Sequence, residues 1–211
     1  MSIKTLIEKI KKKLDSSSLP GKDVQFVMAP EGREDVCGDD YRDAAVSIML
    51  YDREGELFFP LIKRTQNRYD RHRGQIGLPG GRYEDSDYDL YHCAVRELGE
   101  ELGINTAGVE RLGQLTRVNI PVSRYRVQPF IVYLGEEMNF KAQEGEVEYI
   151  LEVKLQDLLK EDNVRYGLIS GLPRVKVPYF LLNGHEVWGA TAMILNEFKH
   201  LLLNLGYYKT K

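Results

Sequence analysis

The chain has 211 residues, 43% hydrophobic and 29% charged, with a formal net charge of −3. That is ample apolar material for one large domain and too balanced a composition for a disordered chain. A slightly acidic chain is no general nucleic-acid coat, because such binding needs a basic surplus. No apolar run approaches the length of a membrane span, and charges interrupt every apolar stretch of "MSIKTLIEKIKKKL", so no secretory signal is read there. Cys37 and Cys93 are the only cysteines and form neither a metal spacing nor a disulfide framework. A reducing, cytoplasmic setting is expected, with neither nucleic acid nor membrane as partner.

In chain order, Ile3, Leu6, Ile7, Ile10 and Leu14 recur at helical spacing with lysines opposite. This predicts a helix over 2–14 docked on the domain, with a basic membrane-surface helix as the alternative. "DSSSLPGKD" reads as a linker, so residues 1–22 are expected to be helix and linker and 23–211 the domain proper. "DAAVSIMLYD" and "ELFFPLIKRT" read as strands joined by "DREGE". The basic loop "RTQNRYDRHRG" leads into "GLPGG". A carboxylate-rich helix follows, then strands at "RLGQLTRVNI", "YRVQPFIVYLG" and "EVEYILEVKL", and a short helix near "LQDLLKED". "VKVPYFLL" and "HEVWG", turned through "NG", read as a hairpin, and "ATAMILNEFKHLLLNL" as a closing helix. Strands and helices mix irregularly, which points to α/β or α+β with a mixed sheet.

On a wheel of residues 88–102, Tyr91, Ala94, Val95, Leu98 and Leu102 share one arc, and Glu97, Glu100 and Glu101 share the neighbouring one. Like charges at these spacings repel, so something must offset them. Solvent and salt bridges, with Arg96 the nearest cation, are one answer. The other is a divalent-metal site, since carboxylates at i, i+3 and i+4 converge and hard cations prefer oxygen ligands. Gly80 and Gly81, immediately upstream, let the backbone curl against the helix. Asp85 and Asp87 are placed to cap it. Gly99, costly within a helix, marks a close approach or simple tolerance. Cys93 is read as a small buried hydrophobe.

"RELGEELGI" (Arg96, Glu97, Leu98, Glu100, Glu101, Gly103, Ile104) resembles the second half of the Nudix box in full. From Gly81 to Arg96 there is one residue more than the general box has, and Asp87 stands near the place of its upstream Glu. That longer spacing resembles the coenzyme A pyrophosphatase branch of the family. "LIKRTQNRYDRHRGQIGLPGG" is similar to that branch's second signature, with Thr65 for Ser and Leu78 for Phe. "SRYRVQPFIVYL", "GEVEYILEVKL" and "VPYFLLNGHEVWGATAMIL" resemble further segments, so the likeness covers roughly residues 40–203.

The resemblance implies an α/β/α sandwich with a mixed β-sheet and a loop–helix–loop catalytic box. It implies a Mg²⁺- or Mn²⁺-dependent hydrolase that splits a nucleoside diphosphate linked to another moiety. Coenzyme A or acyl-coenzyme A is the first expected substrate. ADP-ribose, NADH and dinucleoside polyphosphates are the alternatives, and a non-catalytic nucleotide-sensing domain is a third reading. Metal ligands carry over onto Glu97, Glu100 and Glu101, with the Gly81 backbone beside the metal. Arg96 pairs with an acidic neighbour and orients the carboxylates. The general base is expected to be Glu146, or else Glu100 or Glu101. Arg64, Arg68, Arg71 and Arg73, with Gly80 and Gly81, are the expected substrate-binding residues, the arginines gripping extra phosphates. His72 lies in the same loop and is read as a surface residue. Tyr125 or Phe130 would line a pantetheine groove, and Trp188 and Tyr179 are read as core or sheet residues. Self-association, if it occurs, is expected as a homodimer.

Overall fold

A computed structural model of the protein describes residues 1–16, 18–135, 138–169 and 176–207. Helix α1 (Ile3–Asp15) opens on Ser2, whose hydroxyl accepts the Thr5 N–H at 3.2 Å. Its apolar stripe, Leu6, Ile7, Ile10 and Leu14, is buried in the main core, so the helix is docked. The linker expected over 15–23 runs into a further helix, α2 (Gly21–Phe26), and the expected boundary between residues 22 and 23 falls inside it.

The central strands are β1 (Arg42–Arg53), β2 (Glu56–Arg64), β3 (Ile76–Gly77) and β4 (Gly80–Arg82). Helix α3 (Leu90–Leu102) follows, then β5 (Glu110–Gln114), β6 (Val118–Ile120), β7 (Tyr125–Leu134) and β8 (Val147–Lys154). The chain continues through α4 (Leu155–Leu158), β9 (Val164–Leu168), β10 (Lys176–Leu182), β11 (His185–Trp188) and α5 (Gly189–Asn204). Val175, the first residue of the hairpin expected from "VKVPYFLL", lies outside the described residues.

β1 is parallel to β7 and antiparallel to β2 and β4, which makes the large sheet mixed, as expected. β8 joins β2, β3 joins β2, and β5 and β6 both join β7. A separate antiparallel sheet runs β11–β10–β9. Side chains alternate across β1: Ala44, Ile48 and Leu50 enter one core, while Ala45, Met49 and Tyr51 enter the other. The first core is covered by α1 and α5, and the second by α3. Helices therefore cover both faces, giving the α/β/α architecture.

"RLGQLTRVNI" is two strands rather than one. Thr116 turns its N–H, 3.1 Å away, and its hydroxyl, 2.7 Å away, to the carboxylate of Glu197 on α5. An N–H spent on a side chain leaves the ladder, so bonding to β7 runs through the Leu115 N–H, 3.0 Å from the Pro129 carbonyl, breaks at Thr116 and resumes at Val118. Glu197, fully buried, also accepts from the Gly21 N–H and from Gln25 Nε2, which fastens α2 to α5 and to the sheet. Gly113, with φ of 154°, lies so close beneath α1 that a Cβ there would strike Leu14. No helix among the described residues is long and apolar enough to cross a membrane.

Candidate active site

α3 starts at Asp89, whose side chain accepts the His92 N–H at 2.7 Å, and ends at Gly103 in the left-handed region at φ 65°. Asp89, not Asp85 or Asp87, is thus the cap. The buried face is Cys93, Ala94, Leu98, Leu102 and Glu101, with Tyr91 and Val95 only half-buried. The helix is turned so that one glutamate points at the sheet, because a partner waits there: the Gly80 N–H donates to Glu101 Oε2 at 2.8 Å.

Asp87 has another role. Its side chain is fully buried, accepting Arg96 Nε at 2.9 Å on Oδ1 and Arg96 Nη2 at 3.0 Å on Oδ2. The two-point grip of Arg96 holds the Asp87 carboxyl well below the usual carboxylate range. Arg96 Nη1 reaches Glu97 Oε1 at 2.9 Å and Glu100 Oε2 at 3.1 Å. One arginine therefore ties three acids together.

Gly81 lies directly against Glu97, where a Cβ would overlap the carboxylate. The Gly81 carbonyl accepts the Cys93 thiol at 3.7 Å. Gly99 also marks a close approach, its missing Cβ lying 3.2 Å from Thr106. Burial pushes the Glu101 carboxyl up to about 8; the Gly80 N–H and Arg64 oppose this, and the charges of Glu97 and Glu146 reinforce it. Burial also raises Glu97, against the pull of Arg96. Glu146, exposed at the start of β8, acts electrostatically on both. Thr65 fixes its backbone, the Thr65 N–H donating to the Glu146 carbonyl at 3.0 Å.

The donor set of Glu97, Glu100, Glu101 and Glu146 is hard oxygen throughout, and at least Glu97 and Glu101 are held under mutual repulsion that a cation would relieve. That chemistry fits Mg²⁺ or Mn²⁺. Among the described residues no three acids already converge to hold an ion; Arg96 Nη1 bonds both Glu97 and Glu100.

A cavity of 890 Å³ opens beside the glycines. Arg64, Arg71, Gly80 and Gly81 line it; Arg68 and Arg73 do not. The box glutamates stand behind the Gly80–Gly81 wall. Arg64 Nε is paired with Asp70 at 2.6 Å, and its Nη1 lies 3.6 Å from Glu101. Arg68 is exposed and bonds the Tyr69 hydroxyl at 2.6 Å. Tyr125 lines the cavity, but Phe130 is buried in the other core, edge-on to Tyr91. His72 also lines it. Trp188, expected as a core or sheet residue, ends strand β11 and also lines the cavity with Ala190, Thr191 and Ile194 of α5. Sequence reasoning missed Asp70, Arg33 and the segment from Pro30 to Val36, which forms another wall. Asp70 carried a signal, an acid six residues from Arg64, but Arg33 had none.

The site thus joins a mixed sheet between helices, a glycine turn, an Arg–Glu helix and a cavity lined by several arginines. Residues 41–169 match the NUDIX domain, and the chain belongs to the Nudix family. It is similar to the mitochondrial coenzyme A diphosphatase NUDT8 of Homo sapiens, 31% identical over 172 residues, covering 80% of this chain and 72% of that one. It is also similar to the uncharacterized Nudix hydrolase NudL of Shigella boydii, 30% identical over 169 residues, covering 74% of this chain and 85% of that one. These relatives support the coenzyme A pyrophosphatase-like branch. The fold matches the Nudix hydrolase RenU of M. smegmatis, with TM-score 0.54, 14% identity, and 84% and 94% of the two chains covered. It also matches a MutT/nudix family protein of Enterococcus faecalis, with TM-score 0.53, 16% identity, and 93% and 74% covered. The protein is a Nudix pyrophosphohydrolase.

Proposed function

We propose that the protein hydrolyses coenzyme A or acyl-coenzyme A to 3′,5′-ADP and (acyl-)4′-phosphopantetheine, with Mg²⁺ or Mn²⁺. The observation that carries this reading is the Glu101–Gly80–Arg64 cluster at the edge of a large cavity with Ile76, Leu78, Val127 and Trp188 in its walls. A diphosphate bearing a long, partly apolar arm suits such a space. The likeness to a coenzyme A diphosphatase supports the same choice.

Glu97, Glu100, Glu101 and the Gly81 carbonyl are the groups that would hold the cation. When bound, a divalent cation neutralises phosphoryl oxygens and lowers the pKa of a bound water. Arg64 adds fixed positive charge beside Glu101, where negative charge accumulates as the P–O bond breaks. Water oxygen bonds to one phosphorus, the bridging P–O bond breaks, and the water proton passes to a carboxylate. Glu146 is the proposed acceptor, because it is exposed and its charge reaches Glu97 and Glu101. Glu100, half-exposed beside Arg96, is the alternative. Arg96 positions Glu97 and Glu100 rather than touching substrate.

The test is a panel of coenzyme A, acetyl-coenzyme A, ADP-ribose, NADH and a dinucleoside polyphosphate, each with Mg²⁺ and with Mn²⁺. Release of 3′,5′-ADP from the coenzyme A pair at the highest kcat/KM is the expected outcome. Preferred turnover of ADP-ribose or a dinucleoside polyphosphate would replace the substrate. Ligand binding without any turnover would point to a sensor.

A further inference from the structure

Arg33 stands out among the cavity cations. It comes from the N-terminal segment, outside residues 41–169 that match the family domain. Its Nη2 donates to the Asn119 carbonyl at 2.7 Å, while its Nε is buried without a partner. Among the described residues no carboxylate pairs with it. Asp35, the acid whose charge reaches Arg33, is bonded to Asn119 at 2.9 Å and paired with Lys22. Glu31 and Glu34 also line the cavity but are exposed and make no ion pair with Arg33. A half-buried guanidinium with an unpartnered Nε and no carboxylate in ion-pair contact, only the charge of Asp35 acting at longer range, is an incomplete arrangement, since buried charge is ordinarily paired.

Arg71 is its counterpart. It donates to the Val122 carbonyl and also makes no ion pair among the described residues. Asn119 and Val122 are three residues apart at the β6–β7 turn, so their carbonyls lie within about 10 Å. The two guanidinia therefore grip one turn from two different segments, and both line the cavity. Arg64 differs, being paired with Asp70 and facing Glu101. Of the arginines lining the cavity among the described residues, Arg33, Arg64, Arg71 and Arg82, the pair Arg33 and Arg71 meets at the β6–β7 turn, apart from Arg64 beside Glu101.

We infer that Arg33 and Arg71 form a second anion site that takes a phosphate monoester of the substrate, distinct from the diphosphate that is cleaved. The inference rests on the coenzyme A reading above for the identity of that group, the 3′-phosphate. A monoester dianion matches two guanidinium forks, and each charge-assisted contact discriminates by roughly tenfold or more. The N-terminal segment then becomes part of the specificity machinery rather than a mere extension.

The test compares ligands with and without the monoester. Trp188, the single tryptophan, lines the same cavity, so its fluorescence reports binding of 3′,5′-ADP and of 5′-AMP. In the unaltered protein 3′,5′-ADP should bind at least about tenfold tighter than 5′-AMP. Arg33→Gln should bring that ratio toward one, and Arg33→Lys should keep part of it. The kcat/KM ratio of coenzyme A over dephospho-coenzyme A should fall in parallel. Melting curves establish that each variant is folded; should Arg33→Gln unfold, the exposed Arg71→Gln carries the same test. A folded Arg33→Gln with an unchanged ratio overturns the inference, even where coenzyme A is turned over. Conversely, an Arg33-dependent advantage for 3′,5′-ADP in a protein that leaves coenzyme A intact sustains the site and removes the substrate reading.

Discussion

Arg96 Nε and Nη2 grip the two oxygens of the Asp87 carboxylate at 2.9 and 3.0 Å, entirely out of solvent on the acid's side. Asp87→Asn leaves a buried guanidinium half-paired and should cost about 3–5 kcal/mol. The Asp87 carboxyl sits below its unfolded value of about 3.9, so its stabilisation is complete above that pH and is lost as pH falls. Urea unfolding across pH should show the wild type and Asp87→Asn converging toward pH 2. A gap that stays constant with pH would refute this.

Glu101 behaves in the opposite sense. Burial raises it to about 8, so without divalent ions the folded protein keeps a proton that the unfolded chain releases near pH 4.3. Stability in a chelator should then fall as pH rises from about 4.3 to 8. Glu101→Gln should lack that slope, melt higher than wild type at pH 8 in chelator, and lose turnover. Added Mn²⁺ should raise the wild-type melting temperature and leave the variant's unmoved.

Gly80 and Gly81 should fail differently. Gly80 has φ of 150°, and a Cβ there would overlap the Ala45 carbonyl and Val46 backbone of β1. Neither can yield without breaking the sheet, so Gly80→Ala should lower stability by about 2–4 kcal/mol. At Gly81 the obstacle is the Glu97 carboxylate, a movable side-chain end. Gly81→Ala should therefore reduce kcat more than melting temperature. Equal melting losses in the two variants would contradict this.

The cysteines offer a reagent test. Cys37 is exposed; Cys93 is buried, and burial pushes its thiol up to about 12. A disulfide thiol reagent at pH 8 should react with one thiol in the native protein and two in denaturant. Cys37→Ser should abolish the native reaction.

The chemistry was legible where it is encoded locally. "RELGEELGI" places its glutamates side by side because helical spacing alone does so, and α1 follows from its period of 3.6. The rotation of α3 was only partly legible: Tyr91 packs against the core as the wheel placed it, but Val95 is half-buried while Glu101 is drawn in by the Gly80 N–H, 21 residues away in the chain. Asp87 looked like a cap because it is acidic and near the helix start. Its burial against Arg96 is a tertiary choice that leaves capping to Asp89. The break in "RLGQLTRVNI" depends on Glu197, 81 residues beyond Thr116.

By itself the sequence determined the Nudix box, the mixed α/β character and the docking face of the first helix, since each rests on spacing within a few turns of chain. Only the tertiary structure decided which arginines face the cavity, that Trp188 at the end of β11 lines it, and that Arg33 belongs beside Arg71. Those relationships join segments separated by tens of residues. They are set by burial and by the need of polar groups for partners, which no local pattern records.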